Sequence, residues 1–450
     1  MRTGKFQKGV AQTSKSTGLD CFICLASKKH VYSAIDQDIQ EERGSSVNGV
    51  LRLIRSGEIE DLRNLGVLFD WSEGRASLAI DRVIFKEAPG AILIYHNRPV
   101  HQIGTPGLQA LLRGLDVVME SLDDLDFLIV GGANDPVHSG GDIKESLSKL
   151  KETLQIKAQM ERQGAPEHEI DQLFSWGEER LRKGMALYHK IRSVSGRSRT
   201  VGLCGGGTRY GGSAEIPLMC DYLLGDSRSG MCFSEALIGI IPGWAGIARV
   251  LTKAGLLVGE YMSKTARELR ADDLLKVGIY DEVVDIPYPF PLRPKTGDPD
   301  GDREKYLEAL ERHDDSTGRI LMPAALRLAT CPVDEIPARD RNRKKVLATK
   351  KDIDIEVQRR SNPFNYAHLW RKQLREVKVE IDRLGRPLAP QSIEALNRLF
   401  ESFDESDFDE KTFAEREMEA DARLYRDPRF LEGLTAMIEQ RVADFRFHGL

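Results

Sequence analysis

The chain has 450 residues, of which 41% are hydrophobic and 30% charged, and carries a formal net charge of −5. That length accommodates one large domain with extensions or two to three ordinary domains, and the charge balance argues against nucleic-acid binding by bulk electrostatics. No stretch approaches the roughly 20 consecutive apolar residues of a membrane-spanning helix, and six cysteines in so long a chain read as reduced thiols in a cytoplasmic setting.

Residues 1–19 carry Lys and Arg but no acid before Asp20 and lack the apolar core of a secretory signal, so they read as a disordered basic tail. Cys21 and Cys24, with His30 downstream, make half of a zinc pattern; no second cysteine pair follows nearby, and no metal site is expected. Residues 36–66 read as a helix with Val50, Leu51, Ile54, Ile59 and Leu62 on its apolar stripe. Next, Ala91-Ile92-Leu93-Ile94-Tyr95 predicts a strand that ends in a turn at Asn97-Arg98-Pro99. Leu108, Leu111, Leu115, Val118 and Leu122 have the spacing of an amphipathic helix, and Phe127–Val130 is a second strand running into Gly131-Gly132. A strand–helix–strand unit of this kind implies a parallel pair and an α/β core.

Residues 143–193 are highly charged and helical in pattern, with a break at Gly164-Ala165-Pro166. A third strand around Thr200–Cys204 enters a glycine turn, 214–220 suits a short buried helix, and Tyr222–Leu224 a fourth strand. Helical patterns continue to Leu275, followed by Ile279–Val284. Pro287–Asp302 is rich in Pro, Gly and Asp and reads as a linker or surface loop. Residues 303–412 are helical, polar and charged; their basic run Arg341, Arg343, Lys344 and Lys345 reads as a solvated helix face. Phe430, Leu434, Met437, Ile438 and Val442 form a last helix that must dock on something. The expected division is an N-terminal extension (1–75, largely helical or disordered), a core (76–286) and a helical C-terminal region (287–450).

Three segments carry chemistry. Glu215 follows a glycine-rich turn, Glu235 precedes Pro242-Gly243, and a second glycine turn, Ser139-Gly140-Gly141-Asp142, lies upstream. Glycine lets the backbone approach a ligand closely, so the N–H groups of Gly141 and Gly212 are candidates to hold a developing oxyanion. Gly212 also falls just before the 214–220 helix, whose dipole favours negative charge. Glu215 stands among Ala214, Ile216, Leu218 and Met219, and Glu235 before Ala236-Leu237-Ile238; burial of such acids raises their pKa and suits proton transfer near neutral pH. The pair is 20 residues apart in a chain with 70 acids, so spacing alone leaves solvated surface open as the alternative. Tyr210 breaks the dinucleotide-binding glycine pattern, and no nucleophile elbow or phosphate loop is present.

Residues 90–286 resemble the core of the crotonase superfamily, the enoyl-CoA hydratases and isomerases. The resemblance runs in order through AILIYHNRP (91–99), SGGDIKE (139–145), GGSAEIPLMCD (211–221), SEALIGIIPG (234–243) and TARELRADDLLKVGIYDEVV (265–284), and DPRFLEGLTAMIEQRVADF (427–445) resembles the family's closing helix. It implies an α/β fold, a ClpP/crotonase-like ββα superhelix core with a helical C-terminal part, in which 290–412 is an insertion. By resemblance Gly141 and Gly212 supply the oxyanion N–H groups, Glu215 and Glu235 are the catalytic acids, and Gly243 helps position water. Gly140, Asp142, Ile143 and His101 fall to the coenzyme A and substrate site.

The chain departs from the family at Gly206-Gly207, at Thr208, Arg209 and Tyr210, at Trp244 where a small residue is common, and at His101 where alanine is. These departures, with the long segment after Asp142, point to an unusual acyl group, cyclic or aromatic. The expected activity is syn-hydration of an α,β-unsaturated acyl-CoA. Hydrolysis of a C–C or thioester bond, double-bond isomerisation, and a non-catalytic scaffold or RNA binder are the alternatives. No cofactor is expected beyond coenzyme A as part of the substrate, and neither a nucleic-acid nor a membrane partner; the resemblance implies a homotrimer or dimer of trimers.

Overall fold

The computed structural model describes residues 59–64, 76–121, 125–332 and 347–446. The basic tail, Cys21, Cys24, His30 and the run Arg341–Lys345 lie outside these residues.

Alternation builds the first layer. After β1 (Ile59–Asn64), β2 (Ala76–Phe85) and β3 (Ala88–Asn97) form an antiparallel hairpin in which Phe85 pairs with Ala88. Lys86 and Glu87 close it at φ 49° and 66°, the left-handed conformations that suit a two-residue turn to strand twist. The β1 strand pairs antiparallel with the free edge of β2, Ile59 opposite Phe85. The helix expected over 36–66 is therefore corrected over its last turns; its earlier part lies outside the described residues. A hairpin edge offers a row of unpaired backbone groups, whereas a short helix end fixes its dihedrals for few hydrogen bonds.

The chain continues through α1 (Thr105–Ser121), β4 (Phe127–Gly132), β5 (Val137–His138), α2 (Ile143–Arg162), α3 (Glu167–Gln172) and α4 (Ser175–Ser195). The break expected at Gly164–Pro166 separates α2 from α3. Then come β6 (Arg199–Cys204), β7 (Thr208–Tyr210), α5 (Gly212–Leu218), β8 (Tyr222–Asp226) and β9 (Gly230–Cys232). After them follow α6 (Gly246–Ala254), α7 (Leu256–Thr265), β10 (Leu269–Arg270), α8 (Ala271–Lys276) and β11 (Glu282–Val284). Seven strands make one sheet in the order β1-β2-β3-β4-β6-β8-β11, parallel from β3 onward. Four short strands make a second, β10-β9-β7-β5.

The large sheet is covered on both faces, as parallel strands demand. Ala91, Leu93, Tyr95, Leu128 and Val130 belong to a core shared with Leu108 and Leu115 of α1 and Met185 and Ile191 of α4. The alternate residues, Ile92, Ile94, Phe127, Ile129 and Val201, pack with Leu321, Met322, Ala325 and Leu328 of α9 (Pro299–Thr330). The first turn of this helix occupies the end of the expected 287–302 loop, with Asp298 accepting from the Gly301 N–H as its cap. Thus a helix of the polar-looking C-terminal region seals one face of the sheet.

The remaining helices are α10 (Lys350–Ser361), α11 (Lys378–Leu384), α12 (Pro390–Glu401), α13 (Glu410–Leu424) and α14 (Pro428–Ile438). The α13 helix packs on α4 and α6, and α14 on α2, so the end of the chain returns to the elements around the two glycine turns.

Candidate active site

Strand β6 delivers the chain into the glycine stretch that precedes α5. Gly211 starts that helix at φ 51°, where a side chain is strained, and a Cβ there would lie 2.7 Å from Glu235 Oε1. Gly140, at φ 79°, presses its backbone against Tyr210 O, and its N–H donates to Ser213 Oγ at 3.1 Å. Two glycine turns about 70 residues apart in sequence are thereby locked together. Gly141 and Gly212 line one cavity of about 80 Å³, and among the described residues neither N–H meets an acceptor. Both are short of a hydrogen bond that backbone donors normally have.

Glu215 and Glu235 line the same cavity. All seven residues of α5 are buried, which carries Glu215 inside with them. Its Oε1 accepts from Trp244 N–H at 2.8 Å and Gly246 N–H at 3.3 Å. Burial pushes its pKa up to about 7, with the N–H groups of Trp244, Gly246 and Gly243 opposing the rise. Glu235 sits on a single 3₁₀ turn, Glu235–Leu237, and its Oε2 is buried with no partner among the described residues. Burial first, and then the charge of Glu215, holds it well above the ordinary carboxyl range. Neighbouring acids cannot both ionise cheaply out of water, so their titrations are pulled apart.

Of the other residues singled out in sequence, Gly243 lines the cavity and turns its N–H toward the Glu215 carboxylate. Ile143 lines it too. Asp142 caps α2, accepting from the Lys144 and Glu145 N–H groups. His101 is not among the lining residues: it is buried with Nε2 2.7 Å from Asp135 Oδ2, accepts from Asn97 N–H, and stacks on His138. Its ring serves the loop that supports the turn rather than the cavity wall. Arg209 is buried on β7, and the Tyr210 hydroxyl donates to Glu268 at 3.3 Å; neither is among the cavity's lining residues. Trp244 does line it. Its indole occupies the space that a Cβ at Gly184 or Gly212 would take, so the bulk that looked crowding in sequence is accommodated by a glycine on α4 and one on α5.

Three charged or aromatic lining residues escaped the sequence reading. Arg180 of α4, Asp421 of α13 and Tyr425 just after it all reach the cavity. Asp421 accepts from Ile241 N–H at 2.9 Å, and nearby Glu417 accepts from Ile247 and Ala248 N–H at the start of α6. Burial holds both acids well above the ordinary range, with the Glu215 charge adding to it. The available signal was periodicity: Phe413, Glu417, Asp421 and Tyr425 recur every fourth residue, placing two acids where a helix keeps its apolar stripe. Among the described residues no group of His, Cys, Asp and Glu is arranged to hold a metal ion, and no helix is long and apolar enough to cross a membrane.

Residues 204–286 match the family model for enoyl-CoA hydratase/isomerase. Over 79 residues the chain is 30% identical to a short-chain-enoyl-CoA hydratase of Clostridium acetobutylicum, covering 18% of this chain and 30% of that protein. Over 101 residues it is 27% identical to the peroxisomal bifunctional enzyme of Homo sapiens, covering 22% of this chain and 14% of that one. The chain thus aligns with less than a third of the length of either curated relative. A solved carnitinyl-CoA dehydratase from Mycobacterium thermoresistibile superposes on 78% of this chain and 87% of its own, at 15% identity and a TM-score of 0.47.

Proposed function

We propose, from the match of residues 204–286 to the enoyl-CoA hydratase/isomerase family, that this chain is a crotonase-superfamily member whose cavity takes an α,β-unsaturated acyl-CoA thioester and adds water across the double bond. The observation that carries the reading is one cavity lined by two unpaired backbone N–H groups, of Gly141 and Gly212, and two buried carboxyls, of Glu215 and Glu235.

In the proposed reaction the thioester oxygen accepts from Gly141 and Gly212. Glu215, the acid with the lower pKa of the two, takes a proton from water as the oxygen bonds to the β-carbon. The π electrons move onto the thioester oxygen, and the enolate is held by the two N–H donors, aimed where charge develops. Glu235, kept protonated by burial and by its neighbour, gives its proton to the α-carbon. Return of a proton from Glu215 to Glu235 restores the site, with one water consumed. Two acids whose surroundings separate their pKa values suit the roles of base and acid. The proposed acyl pocket is walled by Trp244, Ile241, Phe430 and Leu434, which favours an apolar or ring-bearing acyl group.

The test is incubation with a panel of linear and cyclic enoyl-CoA esters while the conjugated-thioester absorbance is followed. Loss of that absorbance without free CoA supports hydration. Release of free CoA assigns a hydrolase, and binding of CoA with no turnover of any ester assigns a scaffold.

A further inference from the structure

Arg180 is 7% exposed and lines the cavity, yet among the described residues no carboxylate forms an ion pair with it, and its charge reaches Asp421 only through space. Its guanidinium is tied only to neutral oxygens: Nη1 donates to Ser146 Oγ at 2.5 Å and Nη2 to Ile103 O at 3.1 Å. A buried cation without a close counter-charge is costly, and arginine cannot shed its proton to escape that cost. Of the acids that share the cavity or border it, Asp421 feels the charge of Arg180, but burial still holds it, like Glu235 and Glu417, toward its neutral form.

The position of the guanidinium says what would neutralise it. A Cβ at Gly141 would collide with Arg180 Nη2, so the cation lies against the same glycine whose N–H is unpaired. We propose that Arg180 is a third, cationic element of the oxyanion site, and that the negative charge it is built to meet is the one developing on a bound thioester oxygen. This rests on the acyl-CoA reading above. Two backbone dipoles and one fixed charge in a site shielded from water stabilise an enolate more than the two dipoles do. The pair of hydrogen bonds to Ser146 and Ile103 holds the guanidinium before substrate arrives, so no reorganisation accompanies reaction. Arginine in place of a third neutral donor also biases the site toward substrates whose α-carbon is hard to activate, because more of the charge can reside on oxygen.

The experiment uses 4-dimethylaminocinnamoyl-CoA, a thioester in which an electron-donating amine is conjugated to the carbonyl, so polarisation of that carbonyl moves its absorbance to longer wavelength. On the full chain we expect a red shift on binding, most of it lost in R180M and largely kept in R180K, each read at saturating probe so that a change in affinity does not enter the shift. S146A frees Nη1 without removing the charge, and is expected to give an intermediate shift; it decides the matter if R180M does not fold, an unchanged shift then overturning the proposal. An R180M protein that binds the probe with the full red shift overturns the role of Arg180 and leaves the acyl-CoA reading intact. So does an R180M protein that keeps the shift but selectively loses binding of glutaconyl-CoA, since Arg180 would then read a substrate carboxylate. Failure of the unaltered protein to bind the probe or free CoA overturns the acyl-CoA reading and this inference with it.

Discussion

Glu215 and Glu235 differ in how they are held, and that difference is what makes a division of labour available. Glu215 has backbone donors on one oxygen, whereas Glu235 leaves a buried oxygen unpaired. Under the proposed reaction, E215Q and E235Q should each lower kcat about 10³-fold, within the range of general acid–base contributions; both variants at unaltered turnover would remove the pair from the mechanism. A base with pKa about 7 must be ionised to act. The rate on a processed ester should therefore fall tenfold per pH unit below about pH 7, and E215Q should lack that limb. Glu417 and Asp421 give a separate, thermodynamic signal. Each binds its proton more tightly folded than unfolded, so its contribution to stability is complete below the ordinary carboxyl range and is lost as pH rises through the folded value. D421N should accordingly flatten the decline in melting temperature as pH rises above the ordinary carboxyl range. A slope as steep as that of the unaltered protein would show Asp421 ionised in the fold.

At the scale of elements, the cavity depends on helices that look like polar decoration in sequence. The α4 helix contributes Arg180, and its Gly184 admits the Trp244 ring. G184V should cost about 1–3 kcal/mol by overpacking and abolish turnover of any processed ester by displacing the indole; a stable, fully active G184V would show that the ring has other room. The α9 helix works differently, through area. Leu321 is fully buried against the sheet, and L321A should cost about 2–5 kcal/mol in chemical denaturation while leaving turnover of a processed ester unchanged at temperatures where the fold persists. The difference between these two variants separates an element that shapes the cavity from one that only closes the core. The legibility of such elements was uneven. Strands β3, β4, β6 and β8 could be read because their apolar runs end at glycine or turn signals. The β2–β3 hairpin could not, since Lys86-Glu87 is not a turn signal by composition, and its left-handed pair is imposed by the strands on either side.

On the scale of the whole molecule, the C-terminal region is part of the same structure as the core. The α9 helix covers one sheet face, and α13 brings Glu417 and Asp421 to the start of α6 and the cavity. Removing residues 287–450 should therefore leave 76–286 insoluble or unable to bind CoA, with the apolar face of Ile92, Ile94 and Ile129 exposed; a soluble, CoA-binding fragment would contradict this. The amino-acid sequence by itself determined the α/β class, the order of the main strands, and the three segments in which Glu215, Glu235, Gly141 and Gly212 lie, because local apolar pattern and glycine placement are properties of short stretches. Only the tertiary structure decided which of them meet, that His101 faces Asp135 instead of the cavity, that Trp244 fits, and that Arg180 and Asp421 join the wall. Those outcomes depend on desolvation and on contacts between residues far apart in sequence, such as Trp176 with Tyr425 and Ile241 with Asp421, and no local pattern encodes the dielectric or the neighbour that such a residue will find.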